Sequence, residues 1–202
     1  MRLPLKQIIL SLLMLTLLTA CFPWDDIVNI ITGAKGKRKI SFYVFEPCEI
    51  FTKPNNDIDK DKGFVSSDWT KGLHKTFVKG IVDHGDGKWT ALYYDEPEPF
   101  KNFYSRFFEA VDRRKFLHDY IADIRAMADA DYKNTEAIIF SIVDNKPGAL
   151  AKAVTVYIYD IMTNSFVSKS RALPKESTEL ERKEAMAEML QMSLEKAYGE
   201  KK

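Results

Sequence analysis

The chain has almost no net charge, few cysteines and no apolar run long enough to cross a membrane. Lys and Arg number 30 against 29 Asp and Glu, a formal charge of +1, so no long-range field selects nucleic acid or an anionic surface. Nucleic-acid binding is not expected. The cysteines are Cys21 and Cys48 alone. If Cys21 is modified, Cys48 has no partner within the chain, an internal disulfide is excluded, and Cys48 reads as a small buried hydrophobe. The apolar run Ile8 to Leu18 covers eleven residues, against the ~20 a helix needs to cross about 30 Å of hydrocarbon. No internal repeat or low-complexity tract interrupts the 202 residues, and aromatic side chains are plentiful, as in a packed globule.

A basic start at Met1, Arg2 and Lys6 followed by a short apolar stretch is the pattern of a secretory signal. Its end, Leu18-Thr19-Ala20-Cys21, resembles the lipobox of bacterial lipoproteins. The resemblance implies that the Cys21 thiol receives a diacylglycerol, that the chain is cut before Cys21, and that the new amino group is acylated. Three acyl chains at ~0.8 kcal/mol per buried CH₂ exceed what stable anchoring requires. The expected organisation is a signal peptide over 1–20, a lipidated cysteine and tether over 21–38, and one periplasmic domain over 39–202. Phe22 and Trp24 favour the headgroup region. The residue after Cys21 is Phe22 and not the aspartate that commonly retains such lipoproteins in the inner membrane, which leans toward the outer membrane. Residues 22–38 reach at most about 60 Å, so the domain stays near its membrane.

Beyond the tether, Lys39 to Phe51 is rich in β-branched and aromatic residues with both faces of Ile40–Phe45 apolar, a strand buried on both sides. Ser66-Ser67-Asp68 caps an expected helix carrying Trp69, Leu73, Phe77, Val78, Ile81 and Val82, ended by Asp83-His84-Gly85-Asp86-Gly87. Lys88–Tyr94 is a second strand. Phe100, Phe103, Tyr104, Phe107, Phe108 and Val111 then recur at helical spacing, and the apolar set restarts out of phase at Leu117, Tyr120, Ile121 and Ile124, which predicts a kink or two helices. Thr135–Val143, Ala153–Met162 and Phe166–Ala172 read as an antiparallel meander. Thr178-Glu179-Leu180-Glu181 has the form of a capping box opening a last helix with Met186, Met189, Leu190 and Leu194 on one stripe. The expected fold class is α/β (α+β), β-α-β-α-β-β-β-α, a mixed sheet of about five strands with helices packed on it.

Candidate chemistry is sparse. Asp57, Asp59 and Asp61 alternate as in a calcium loop, but the glycine falls at 63 and no acidic residue closes the loop. His74, Asp83, His84 and Asp86 do not have ligand spacing. Glu109, Asp112, Asp119 and Asp123 are interspersed with arginines and lysines and read as helix-surface ion pairs. His118 with Asp119 or Asp123, near Ser105, is the least poor hydrolytic set. No cofactor, no metal and no catalytic residue is assigned; the one site residue is Cys21, for lipid.

The stretch Ala128-Asp129-Ala130-Asp131-Tyr132, the strand to Val143, and Val154 to Val167 ending its long strand at Asp160 before Thr163-Asn164 resembles a family of bacterial envelope domains. That family holds the periplasmic domain of the curli-secretion lipoprotein, the lipoprotein activators of penicillin-binding proteins and the amino-terminal domain of the Tol-system translocation protein. The chain has neither the membrane-crossing hairpin of the first nor the long proline-rich leash of the second. The resemblance implies a membrane-tethered, non-catalytic module that binds another envelope protein. The alternative is a lipoprotein that binds a small molecule or glycan in an aromatic-lined pocket.

Overall fold

A computed structural model describes residues 39–199 except 54, 56, 60–61, 66–68, 94–96, 128–129, 146–150 and 175. The signal peptide, Cys21, the tether, the expected cap at 66–68 and Asp61 lie outside the described residues. Six strands and four helices follow in order: β1 (Ile40–Val44), β2 (Cys48–Phe51), α1 (Leu73–His84), β3 (Trp89–Tyr93), α2 (Pro97–Glu109), α3 (Arg113–Arg125), a 3₁₀ turn at Ala130–Asn134, β4 (Ala137–Asn145), β5 (Ala151–Asp160), β6 (Ser165–Pro174) and α4 (Glu179–Tyr198). The sheet runs β3-β1-β4-β5-β6, with β2 also on β4. β1 and β2 lie parallel to β4, and β4-β5-β6 is the antiparallel meander. The fold is mixed α+β, as expected. Among the described residues no helix is long and apolar enough to cross a membrane.

The single strand expected over Lys39–Phe51 is two strands on the same neighbour. From Val44 to Cys48 the chain advances four residues while its partner advances three, from Ile139 to Ile142. Pro47 has no N–H to give to a ladder, and the Glu46 carbonyl accepts the Tyr104 hydroxyl at 2.8 Å. The extra residue acts as a bulge that reverses the side-chain alternation. Tyr43 and Phe45 therefore face the same core as Cys48 and Ile50, while Ile40, Phe42 and Val44 face the other, so both sides of this stretch are apolar.

Alternation along the strands builds two cores. Ile40, Phe42, Ile139, Val154, Val156 and Ile158 pack with Phe77 and Ile81 of α1 and Met186, Met189 and Leu190 of α4. On the other face, Tyr43, Ile138, Phe140 and Tyr159 meet Phe103 and Phe107 of α2 and Leu117 and Ile121 of α3. Each fully buried side chain of this size contributes ~1.5–3 kcal/mol, so both helix pairs are held by their apolar stripes.

The out-of-phase stripe resolves as two helices. Val111, expected in the core, is 106 % exposed, because α2 ends at Glu109 and Asp112 opens α3 by accepting the Lys115 N–H at 2.9 Å. Asp112→Ala is expected to lower stability by about 1 kcal/mol, read as a lower urea midpoint at unchanged slope. α1 begins later than its apolar spacing suggests, after Gly72 at φ 81, so Trp69 enters the core from the preceding turn. Gly85 closes α1, and a Cβ there would sit 2.4 Å from Trp89. α4 opens on the expected capping box, with Thr178 Oγ1 accepting the Glu181 N–H and Glu181 accepting the Thr178 N–H. The Thr178 N–H and the Thr178 hydroxyl both donate to the Glu181 carboxylate and hold it below its ordinary pKa, so the contribution of these two bonds is present at neutral pH and is lost as pH falls through the folded-state value.

Candidate binding groove

The bulge and the long meander leave one large concavity on the α2–α3 side. Its floor is the end of β4 and start of β5, with Ile142, Asp144, Thr155 and Tyr157; one wall is the α2–α3 junction, with Ser105, Phe108, Glu109 and Arg113; the other is the segment after β2, with Thr52, Lys53, Asn55, Asp57, Ile58 and Phe64. The cavity volume is about 1060 Å³. Period-two alternation sends Thr155 and Tyr157 to this face while Val154 and Val156 enter the opposite core.

The aromatic walls are braced from behind. Phe64 stacks on Phe108 with ring centroids 5.7 Å apart, and Tyr157 lies on Phe140 at 4.8 Å with planes 9° apart. The Arg113 guanidinium sits over the rings of Phe107 and Phe108 at 5.1 and 5.6 Å. No ion pair to Arg113 occurs among the described residues. Across the groove, Asp144 accepts the Thr52 hydroxyl, Asp57 accepts from the Asn55 amide at 2.7 Å, and Lys53 lies 4.0 Å from Asp59. Burial raises the Tyr157 pKa; the positive Arg113 opposes that shift and the negative Asp144 adds to it. The phenol therefore stays a neutral hydrogen-bonding group between a cationic and an anionic pole. The groove offers stacking, hydrogen bonding and charge of both signs, and so suits binding.

The sequence candidates scatter. Ser105 lines the groove and His118 does not; His118 Nδ1 is 3.6 Å from Asp119, both side chains being more than half exposed. Asp119 is engaged by Lys115 at 2.9 Å, which lowers its pKa, and Asp112 is used as a helix cap. Among the described residues no group of three or more His, Cys, Asp or Glu could hold a metal. His74 is buried against Tyr93, and His84 lies against Trp89. Cys48 is buried, and loss of solvation drives its thiol well above the usual cysteine range, leaving it unreactive. A maleimide is expected to leave Cys48 unlabelled in the native domain and to label it in urea. Met186 and Met189 fill core space, whereas Met192 is partly exposed. Arg113 and Tyr157 were not singled out by the sequence; the clue for Tyr157 was its place, with Tyr159, at alternate positions of one strand face.

The sequence matches no protein-family model and no curated protein. Solved structures are similar to it only distantly. The chain is similar to a PelC dodecamer from Paraburkholderia phytofirmans at 7 % identity, over 81 % of this chain and 90 % of that one, with a TM-score of 0.36. It is similar to the LpoB C-terminal domain from Salmonella enterica at 12 % identity, over 76 % and 99 %, TM-score 0.35. It is also similar to TolB from Acinetobacter baumannii at 11 % identity, TM-score 0.38, covering 79 % of this chain but only 29 % of TolB. No residue of the groove is carried over from any of them.

Proposed function

We propose that this chain is a bacterial envelope lipoprotein, anchored through lipid on Cys21 and facing the periplasm from the outer membrane, whose domain is a non-catalytic module that holds another envelope protein. Residues 1–20 are the signal, 21–38 the anchor and tether, and 39–202 the working domain. The observation that carries the reading is the groove, with Arg113 presented on an aromatic base and without an ion pair among the described residues. A stacked guanidinium is a favoured anchor at protein interfaces because it is held in place before the partner arrives. The lipobox sequence supports the address.

A small molecule or glycan is the second reading, favoured by the groove's volume of about 1060 Å³ and by Phe64, Phe108 and Tyr157 along it. The two readings part in one experiment. The full chain is solubilised with its envelope in mild detergent and captured beside an Arg113→Glu form. The protein reading expects a specific companion with the natural chain and at least roughly tenfold less of it with Arg113→Glu, in line with loss of an interface anchor. Repeated capture of the bait alone would contradict it, and a ligand recovered without a protein would favour the second reading.

A further inference from the structure

Three charges that line the groove have no counter-charge. Arg113, on the α2–α3 wall, has no ion pair among the described residues, and its guanidinium is held over Phe107 and Phe108 at 5.1 and 5.6 Å. On the floor, half-buried Asp144 accepts the neutral Thr52 hydroxyl. On the far wall, exposed Asp57 accepts the neutral Asn55 amide. No cation pairs with either carboxylate among the described residues. The remaining charges of the lining are occupied: Lys53 lies 4.0 Å from Asp59, and Glu109 has an interaction of its own. The groove is therefore bipolar, with a cation on one wall and carboxylates on the floor and the facing wall.

That polarity selects among occupants. A polyanion would pair with Arg113 and be repelled by Asp144 and Asp57, and a wholly basic segment would meet the reverse conflict. An uncharged glycan would strip water from all three charges and give none of them a counter-charge. A chain that carries one acidic and one basic side chain satisfies both poles. The Tyr157 phenol lies within electrostatic reach of Arg113 and of Asp144, so a single floor residue links the two. Phe64 and Phe108 line the same space with apolar surface, and its volume of about 1060 Å³ has room for several residues of extended chain.

We infer that the groove takes a protein segment of mixed charge, whose acidic side chain is bound by Arg113 and whose basic side chain, within a few residues of it, is bound by Asp144 and Asp57. The guanidinium is planar and already positioned on its rings, so it can receive a carboxylate through two parallel hydrogen bonds. The carboxylates opposite fix the direction in which the segment lies, because reversing it would set like charges against each other. The inference rests on the protein-binding reading of this groove and names the chemistry of the partner.

Short random peptides displayed on phage, selected on the full chain in mild detergent, test it, with Arg113→Glu and Asp57→Lys forms selected in parallel. The natural chain is expected to enrich peptides that carry an acidic and a basic residue together. Arg113→Glu should enrich basic peptides without the acidic residue, and Asp57→Lys should keep the acidic residue with a weakened demand for the basic one. A peptide selected on the natural chain, followed by fluorescence anisotropy, should bind Arg113→Glu roughly tenfold or more weakly. The same peptide with its acidic residue changed to lysine should recover binding to Arg113→Glu, which also shows that the variant is folded. Enriched peptides of a single charge sign, the same set from the natural and Arg113→Glu chains, no recovery by the charge-swapped peptide, or no enrichment at all would each overturn the inference. Any of these results beside an envelope protein that is still captured through Arg113 would overturn this inference alone, whereas capture of the bait alone contradicts the reading on which it rests.

Discussion

Cells producing a Cys21→Ser form are expected to incorporate no clickable fatty acid into this protein and to release it from the membrane pellet, whereas the natural chain is labelled and sediments with membranes. The effect is all-or-none because the proposed anchoring has one chemical origin. The apolar run Ile8–Leu18 is too short to span the bilayer, and the +1 net charge gives no strong electrostatic hold on anionic lipid. Without acyl chains, each contributing ~0.8 kcal/mol per buried CH₂, only Phe22, Trp24 and the nearby aliphatic residues could touch the membrane. Equal label on the Cys21→Ser form would mean that the lipobox resemblance is incidental and that the address is wrong.

Phe103→Ala is expected to cost about 3–5 kcal/mol, the largest loss from any single truncation considered for this domain. Phe103 is fully buried. Its ring stacks on Phe45 at 3.9 Å and meets Phe140 edge-on at 5.0 Å and Tyr120 at 5.1 Å. It therefore ties α2 to the bulged strand and to α3, and a cavity there has rigid rings on several sides that cannot collapse into it. A thermal scan followed by circular dichroism should show a fall of roughly 10 °C or more. Phe103→Leu, which keeps most of the volume, should lose clearly less. Because the α2–α3 junction forms one wall of the groove, the alanine form should also lose partner capture at temperatures where it is still folded. Equal melting of the natural and Phe103→Ala chains would contradict the packing described for the second core.

The parts of the fold legible in the sequence were those fixed by local rules. The phase restart after Asp112 announced a kink or two helices, Thr178 and Glu181 announced the start of α4, and apolar β-branched and aromatic runs closed by turns placed the meander, with alternation legible in its last strand. Two features depended on tertiary context. The interruption at Phe45–Pro47 is stabilised by the Tyr104 hydroxyl from a helix 58 residues away, so the local pattern read as one continuous strand. Val111 fits the helical spacing, but the helix ends before it, since Asp112 is better used as a cap. The groove was not legible for a related reason. Parallel pairing of β2 with β4 brings Thr52, Lys53 and Phe64 beside Ile142, Thr155 and Tyr157, and no short motif spans such separations. Arg113 looked like one more surface charge among several, and only its seat on Phe107 and Phe108 distinguishes it.

The most direct test of a groove that holds an envelope partner is photo-crosslinking in living cells. A photoreactive residue is placed at Ser105 or Asp57 on the two walls, and as a control at Lys75, exposed on α1. A discrete adduct with one envelope protein is expected from Ser105 and Asp57, absent at Lys75 and absent when Arg113→Glu is combined with either groove position. No adduct from the groove positions, or the same adduct from Lys75, would contradict it.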